Sequence, residues 1–134
     1  MKNQQEIEST IKMIADYMEN GYLENIIDMF KHDPEYYQHL GTMLGDERMG
    51  VRIGTFALVE ALLDVENNNL SASIPGIAAL LNDPNVTIRG DAAHLLGIIG
   101  HENALPYLEN ALHDEHELVR ENVSEAIDVI KNNS

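Results

Sequence analysis

The side chains able to do chemistry here are six histidines and an excess of carboxylates. His113 and His116 flank Asp114, and His101-Glu102 could approach from the preceding turn. Neutral imidazoles beside a carboxylate suit zinc or nickel. These residues all fall in solvated turns between apolar stripes, so we read them as turn residues and expect no metal and no other cofactor. His94 is different: it interrupts the apolar run Ala92-Ala93-His94-Leu95-Leu96, with Asp91 one turn away. A His–Asp pair can move a proton or contact a partner. The plainer expectation is a partly buried, hydrogen-bonded structural histidine. The chain has no glycine-rich phosphate loop, no nucleophile elbow and no supported Ser/His/Asp order, so no catalytic residue is assigned. Asp64, Glu66 and Asn68 alternate like the start of a calcium loop. Asn69 stands where the sharp-turn glycine belongs and Pro75 where the closing glutamate belongs, so that reading fails.

These residues hang on a phrase spoken three times. Asp46…Val51-Arg52, Asp83…Ile88-Arg89 and Asp114…Val119-Arg120 share one pattern, the first two copies 37 residues apart and the last two 31 apart. Self-similarity at such a period marks a stacked-repeat protein. Before each of the last two copies, Pro75 or Pro106 opens a short helix, where a missing N–H costs nothing. After each Asp runs a longer helix. Ile88, Ala92, Leu95, Leu96 and Ile99 match Val119, Val123, Ala126, Ile127 and Ile130, and also Val51, Thr55, Leu58, Val59 and Leu62. That is the spacing of one buried helical stripe.

The repeated Asp precedes the long helix, where its carboxylate can accept from free backbone N–H groups and cap it. Gly21, Gly97 and Gly100 are expected in or near helix ends. Asp33-Pro34 opens another short helix over about 34–44. Upstream, Ile7, Ile11, Ile14 and Met18 form a seam through about 4–19, and Leu23, Ile26, Ile27 and Phe30 a shorter second helix. The reading is all-α: an α-solenoid of about four antiparallel helix pairs in a single domain, 1–134. Residues 1–32 are a degenerate N-terminal capping pair, and 33–64, 71–100 and 103–131 are the repeats. The six extra residues between the first two copies fall in a polar loop near 64–71.

Bulk composition narrows function further. The formal charge is −15, from 23 acidic and 8 basic side chains spread along the chain. Such a field repels phosphate backbones and anionic lipid, so neither nucleic acid nor a membrane is expected as partner. It favours a basic partner, and it also simply keeps a protein soluble. Cysteine is absent, which removes thiolate chemistry, and no apolar leader or span is evident. A cytoplasmic location is the default. Met13, Met18, Met29, Met43 and Met49, at helical spacing in the first half, are expected to fill core gaps.

The pattern resembles HEAT-like repeats of the kind grouped with phycobilisome lyases: Asp-(Pro), a Val-Arg or Ile-Arg pair, then Ala-Ala-x-Leu-Leu-Gly. The nearest copy is Asp83-Pro84…Ile88-Arg89…Ala92-Ala93-His94-Leu95-Leu96-Gly97. The resemblance implies a right-handed superhelix in which each arginine ladders with a turn aspartate of its own or a neighbouring unit. It therefore implies that Asp46, Arg52, Asp83, Arg89, Asp114 and Arg120 are structural. Deoxyhypusine hydroxylases are similar repeat proteins that hold two irons on His-Glu pairs soon after the arginine. Here those positions read Gly90-Asp91 and Glu121-Asn122, so that activity is not implied. Nothing here is assignable to bilin handling.

The expected function is a non-enzymatic interaction scaffold that binds a partner protein or peptide on the concave face of its long helices. Asp91, His94, Glu121 and Glu125 are the candidate binding residues, and the chain is a monomer or weak homo-oligomer. The alternative is an enzyme or accessory subunit, lyase-like or chaperone-like, acting on a modified protein. That alternative requires a deep pocket near His94. Ser124, Glu125 and Asp128 replace Ala93, His94 and Gly97 of the preceding copy, so the last repeat is expected to cap the stack.

Overall fold

The computed structural model describes residues 3–133. The chain folds into α1 (Gln4–Glu19), α2 (Leu23–His32), α3 (Leu40–Leu44), α4 (Met49–Leu63), α5 (Ile74–Ala79), α6 (Val86–Ile99), α7 (Leu105–Asn110) and α8 (Glu117–Asn132). Among the described residues there is no strand, and the fold is an all-α solenoid of helix pairs.

The apolar stripes decide which faces meet. Val51, Thr55, Leu58, Val59 and Leu62 of α4 are all buried, as are Val119, Val123, Ala126, Ile127 and Ile130 of α8. In α6 only Ile99, at the frayed end of its stripe, is half-buried. Long helices α1, α4, α6 and α8 form one layer, and α2, α3, α5 and α7 the other. The short helices are tighter than an α-helical reading suggests. Pro34–His39, Leu70–Ser73, Leu80–Asn82 and Glu102–Ala104 are 3-10 turns. So the expected helix near 34–44 is a 3-10 turn running into α3. Elements of three to six residues gain little from α-helical cooperativity.

The repeated aspartate makes a different bond from the expected cap. Asp46, Asp83 and Asp114 each accept the N–H two residues on, from Arg48, Asn85 and His116, at 2.8–2.9 Å. The helix cap is that later residue. Asn85 Oδ1 accepts from Thr87 at 2.8 Å, and His116 Nδ1 from Leu118 at 3.2 Å. Arg48 caps nothing. In every copy the arginine Nη1 donates to the carbonyl of its own turn aspartate, at 2.8, 2.9 and 2.7 Å for Arg52, Arg89 and Arg120. The phrase thus closes each interhelix turn on itself.

Between repeats the aspartates differ. Arg89 forks onto Asp114 of the next repeat, Nε to Oδ2 at 2.9 Å and Nη2 to Oδ1 at 3.2 Å, with both side chains largely buried. Arg52 has no such bond to Asp83. At the start of the array Arg48 joins Asp46 to Asp16 of α1, the latter at 2.9 Å.

The two inner seams open on opposite sides. Helices α6 and α8 pack closely because Gly90 and Gly97 lack side chains. A Cβ at Gly97 would stand 3.1 Å from Ala126 Cα, so Gly97, in the last turn of α6, also lies inside a helix contact. Gly21 and Gly100 do end their helices, with φ of +84° and +73°. The short helices of the same seam, α5 and α7, flank grooves of about 660 and 240 Å³. One seam earlier the pattern inverts. There α3 and α5 meet backbone to backbone, since a Cβ on Gly41 would collide with the Gly76 carbonyl. Above them α4 and α6 diverge, and Met49 and Ile53 of α4 are 65% and 61% exposed.

Candidate functional site

His94 is exposed on α6, not partly buried, and its ring packs against Phe56 of α4 at 5.5 Å between centroids. Phe56 fills the seam beneath it and lifts the imidazole toward solvent. On the other side, His94 and Glu125 rim a hollow of about 160 Å³ between α6 and α8. Gly97 and Ala126 lie beneath, and Ile98, Val129 and Asn122 complete the lining. The hollow exists because the residue between the helices is glycine and its neighbour alanine. It sits between the most extensively packed pair of helices among the described residues.

Asp91 sits one turn before His94 and is half-buried. Burial pushes its carboxyl above the usual carboxylate range, against the opposing pull of Arg52 and of His94. Arg52, Asp91, His94 and Phe56 therefore form one group across the α4–α6 seam. Glu125 is exposed on the groove rim. Glu121 stands apart from these three. It is the repeat equivalent of Gly90, whose face meets Asn122 of the following helix. With no helix after α8 among the described residues, Glu121 is exposed on the end of the stack.

The structure thus brings Asp91 to His94 and His94 to Glu125, and leaves Glu121 outside. Residue patterning missed Phe56, Arg52 and Asn122. The signal for Phe56 was available, since it occupies the stripe of α4 that faces the next long helix, where later copies carry Ala93 and Ser124. His113, Asp114 and His116 lie in the turn before α8, where Asp114 and His116 are engaged in turn bonds, His116 through its Nδ1. Among the described residues, no three His, Asp or Glu side chains are placed to hold a metal ion. Among the same residues, no helix is long and apolar enough to cross a membrane.

The comparison with known families bears on the fold that carries the groove. No curated protein matches the chain. The family model described as HEAT repeats matches residues 56–128, more than half of the sequence. HEAT repeats commonly mediate protein–protein interaction. The matched span runs from Phe56 to Asp128 and so takes in the second half of α4, the α6–α8 seam and the His94–Glu125 groove. With its helix pairs, its Asp–Arg turns and this match, the chain belongs to the HEAT repeat family.

Proposed function

We propose that this protein is a non-enzymatic scaffold that binds a partner protein or peptide through the exposed face of its long helices, centred on Asp91, His94 and Glu125. The observation that carries this reading is the hollow between α6 and α8. It holds about 160 Å³, is mostly apolar, and is rimmed by an imidazole and a carboxylate. Small-molecule sites are usually clefts of roughly 300–1,000 Å³ that enclose their ligand. A shallow hollow suits one side chain of a larger partner better than an enclosed substrate. The formal charge of −15 favours a basic partner, drawn in by long-range attraction and anchored by a cationic side chain at Glu125.

The test begins with crosslinking and mass spectrometry to identify the bound protein, followed by affinity measurement at two salt concentrations. Glu125→Lys should weaken binding by about tenfold or more, with a larger effect at low salt. Glu121→Lys, on the end of the stack, should change it far less. A binding constant indifferent to Glu125→Lys, or binding insensitive to salt, would overturn the reading.

A further inference from the structure

We infer that the open seam between α4 and α6 is a second docking surface, one that takes a cationic, partly aliphatic segment of another protein. The surface lies on the same helix layer as the α6–α8 groove, on the other side of His94, and shares Asp91 and His94 with the binding face proposed above.

Two facing stripes define the seam. On α4, Met49, Ile53 and Phe56 recur at helical spacing and so share a face. On α6, Thr87, Asp91 and His94 do the same. The Phe56–His94 ring contact shows that these faces look at each other, and it is the vertex of a wedge. Toward the helix N-termini the wedge opens, leaving Met49 65% and Ile53 61% exposed. In the next seam their equivalents, Val86 and Gly90, are half-buried and buried. Met49 and Ile53 thus adjoin on one face instead of lying scattered, the arrangement of a contiguous apolar patch.

The charges say what fits. In the closed seam the Asp114 carboxylate receives the Arg89 fork. In the open seam the Asp83 carboxylate accepts only the Asn85 N–H. Arg52 holds its Nη1 on the carbonyls of Asp46 and Glu47, as Arg89 holds its own on Asp83 and Pro84, but its Nε and Nη2 make no bond to Asp83. Asp91 adds a second carboxylate on α6, and neither helix carries a lysine. An arginine or lysine from a partner, flanked by aliphatic residues, would restore the missing rung on Asp83 while covering Met49 and Ile53. A second copy of this chain is a poor occupant, because two molecules of charge −15 repel.

The probe is a helical amphipathic peptide of leucine and arginine, titrated into the full chain carrying labelled Met and Ile methyl groups. The expected result is chemical-shift change at the Met49 and Ile53 methyls. Ile53→Asp and Asp83→Asn should each weaken binding by about tenfold, with Glu109→Lys, exposed on α7 in the other helix layer, leaving it nearly unchanged. Ile53 already faces solvent, and the amide oxygen introduced by Asp83→Asn still accepts the turn N–H. Both variants therefore retain the fold, and melting curves check this. Polyarginine binding as tightly as the amphipathic peptide would overturn the inference, because the apolar stripe would then contribute nothing. Loss of binding in Glu125→Lys alone would overturn it while sparing the groove reading. A dimer seen by sedimentation and dispersed by Ile53→Asp would overturn it in favour of self-association.

Discussion

Arg89 grips Asp114 across one repeat boundary with two hydrogen bonds, whereas Arg52, at the same place one repeat earlier, leaves Asp83 ungripped. The same sequence phrase therefore carries unequal energy in its separate copies. Removing the guanidinium in Arg89→Ala would strand a carboxylate whose side chain is only 10% exposed. That should cost about 3 kcal/mol. Arg52→Ala loses carbonyl bonds and the attraction to Asp91 but strands no buried carboxylate, and should cost about 1 kcal/mol. Urea unfolding of the two variants measures the difference, and equal losses would contradict this account. Arg89→Lys should restore little, because an ammonium cannot fork.

Acid should act through Asp114 and Asp46. Burial pushes the Asp114 carboxyl up, but the His116 N–H and the Arg89 fork outweigh it and hold the group below its usual range. Arg48 does the same for Asp46, mainly by its side-chain hydrogen bonds. A carboxyl whose folded pKa is depressed stabilises the fold above the unfolded value of about 4 and loses that contribution as pH falls through its folded value. The urea midpoint should therefore decline below about pH 4. Asp114→Asn should be less stable at neutral pH and approach the parent as acid removes the parent's advantage.

Asp91 should behave in the opposite sense. Its pKa is raised, so ionisation opposes folding and the unfavourable contribution sets in as pH rises toward the folded value. Asp91→Asn should raise the melting temperature at neutral pH, by a gain of less than about 1 kcal/mol, and the gain should vanish in acid. A variant less stable than the parent at neutral pH would show that the Arg52 attraction outweighs burial.

Gly41 tests the pivot of the open seam. A methyl there meets the Gly76 backbone, which cannot rotate away, so Gly41→Ala should cost about 2–3 kcal/mol. Gly54→Ala also collides, but with the flexible Met18 side chain, and should cost less. Thermal melts of the two variants compare a rigid with a yielding neighbour.

Much of this fold is legible in the sequence because its stripes and turns repeat. Five-residue stripes from Val51, Ile88 and Val119 locate three long helices and the faces they bury. Resemblance assigns the Asp–Arg pairs to structure, and their turn bonds agree. What the sequence does not disclose is how two equivalent residues diverge in space. Spacing predicts a partly buried His94, but Phe56 occupies the space beneath it, a contact that spacing does not encode. Glu121 lies one turn before Glu125, but the residue of that turn that lines the hollow is Asn122, about 100° further round the helix. The cap lies two residues beyond the aspartate because a short side chain closes the nearer N–H first. Methionine patterning predicts Met49 in the core, yet it is exposed. The six-residue insertion is the overlooked sign that its seam differs from the next.

The inverted seams also make the molecule mechanically uneven. A stack of repeats under tension behaves as springs in series, so extension concentrates in the softest joint. Pulled apart at its ends, this one should yield first between α4 and α6, where no arginine fork spans the boundary and the long helices diverge. The paired glycines of α3 and α5 would act as the hinge pin. The segment from α5 to α8 should then travel as one stiff body, its two long helices clamped by Arg89 and Asp114.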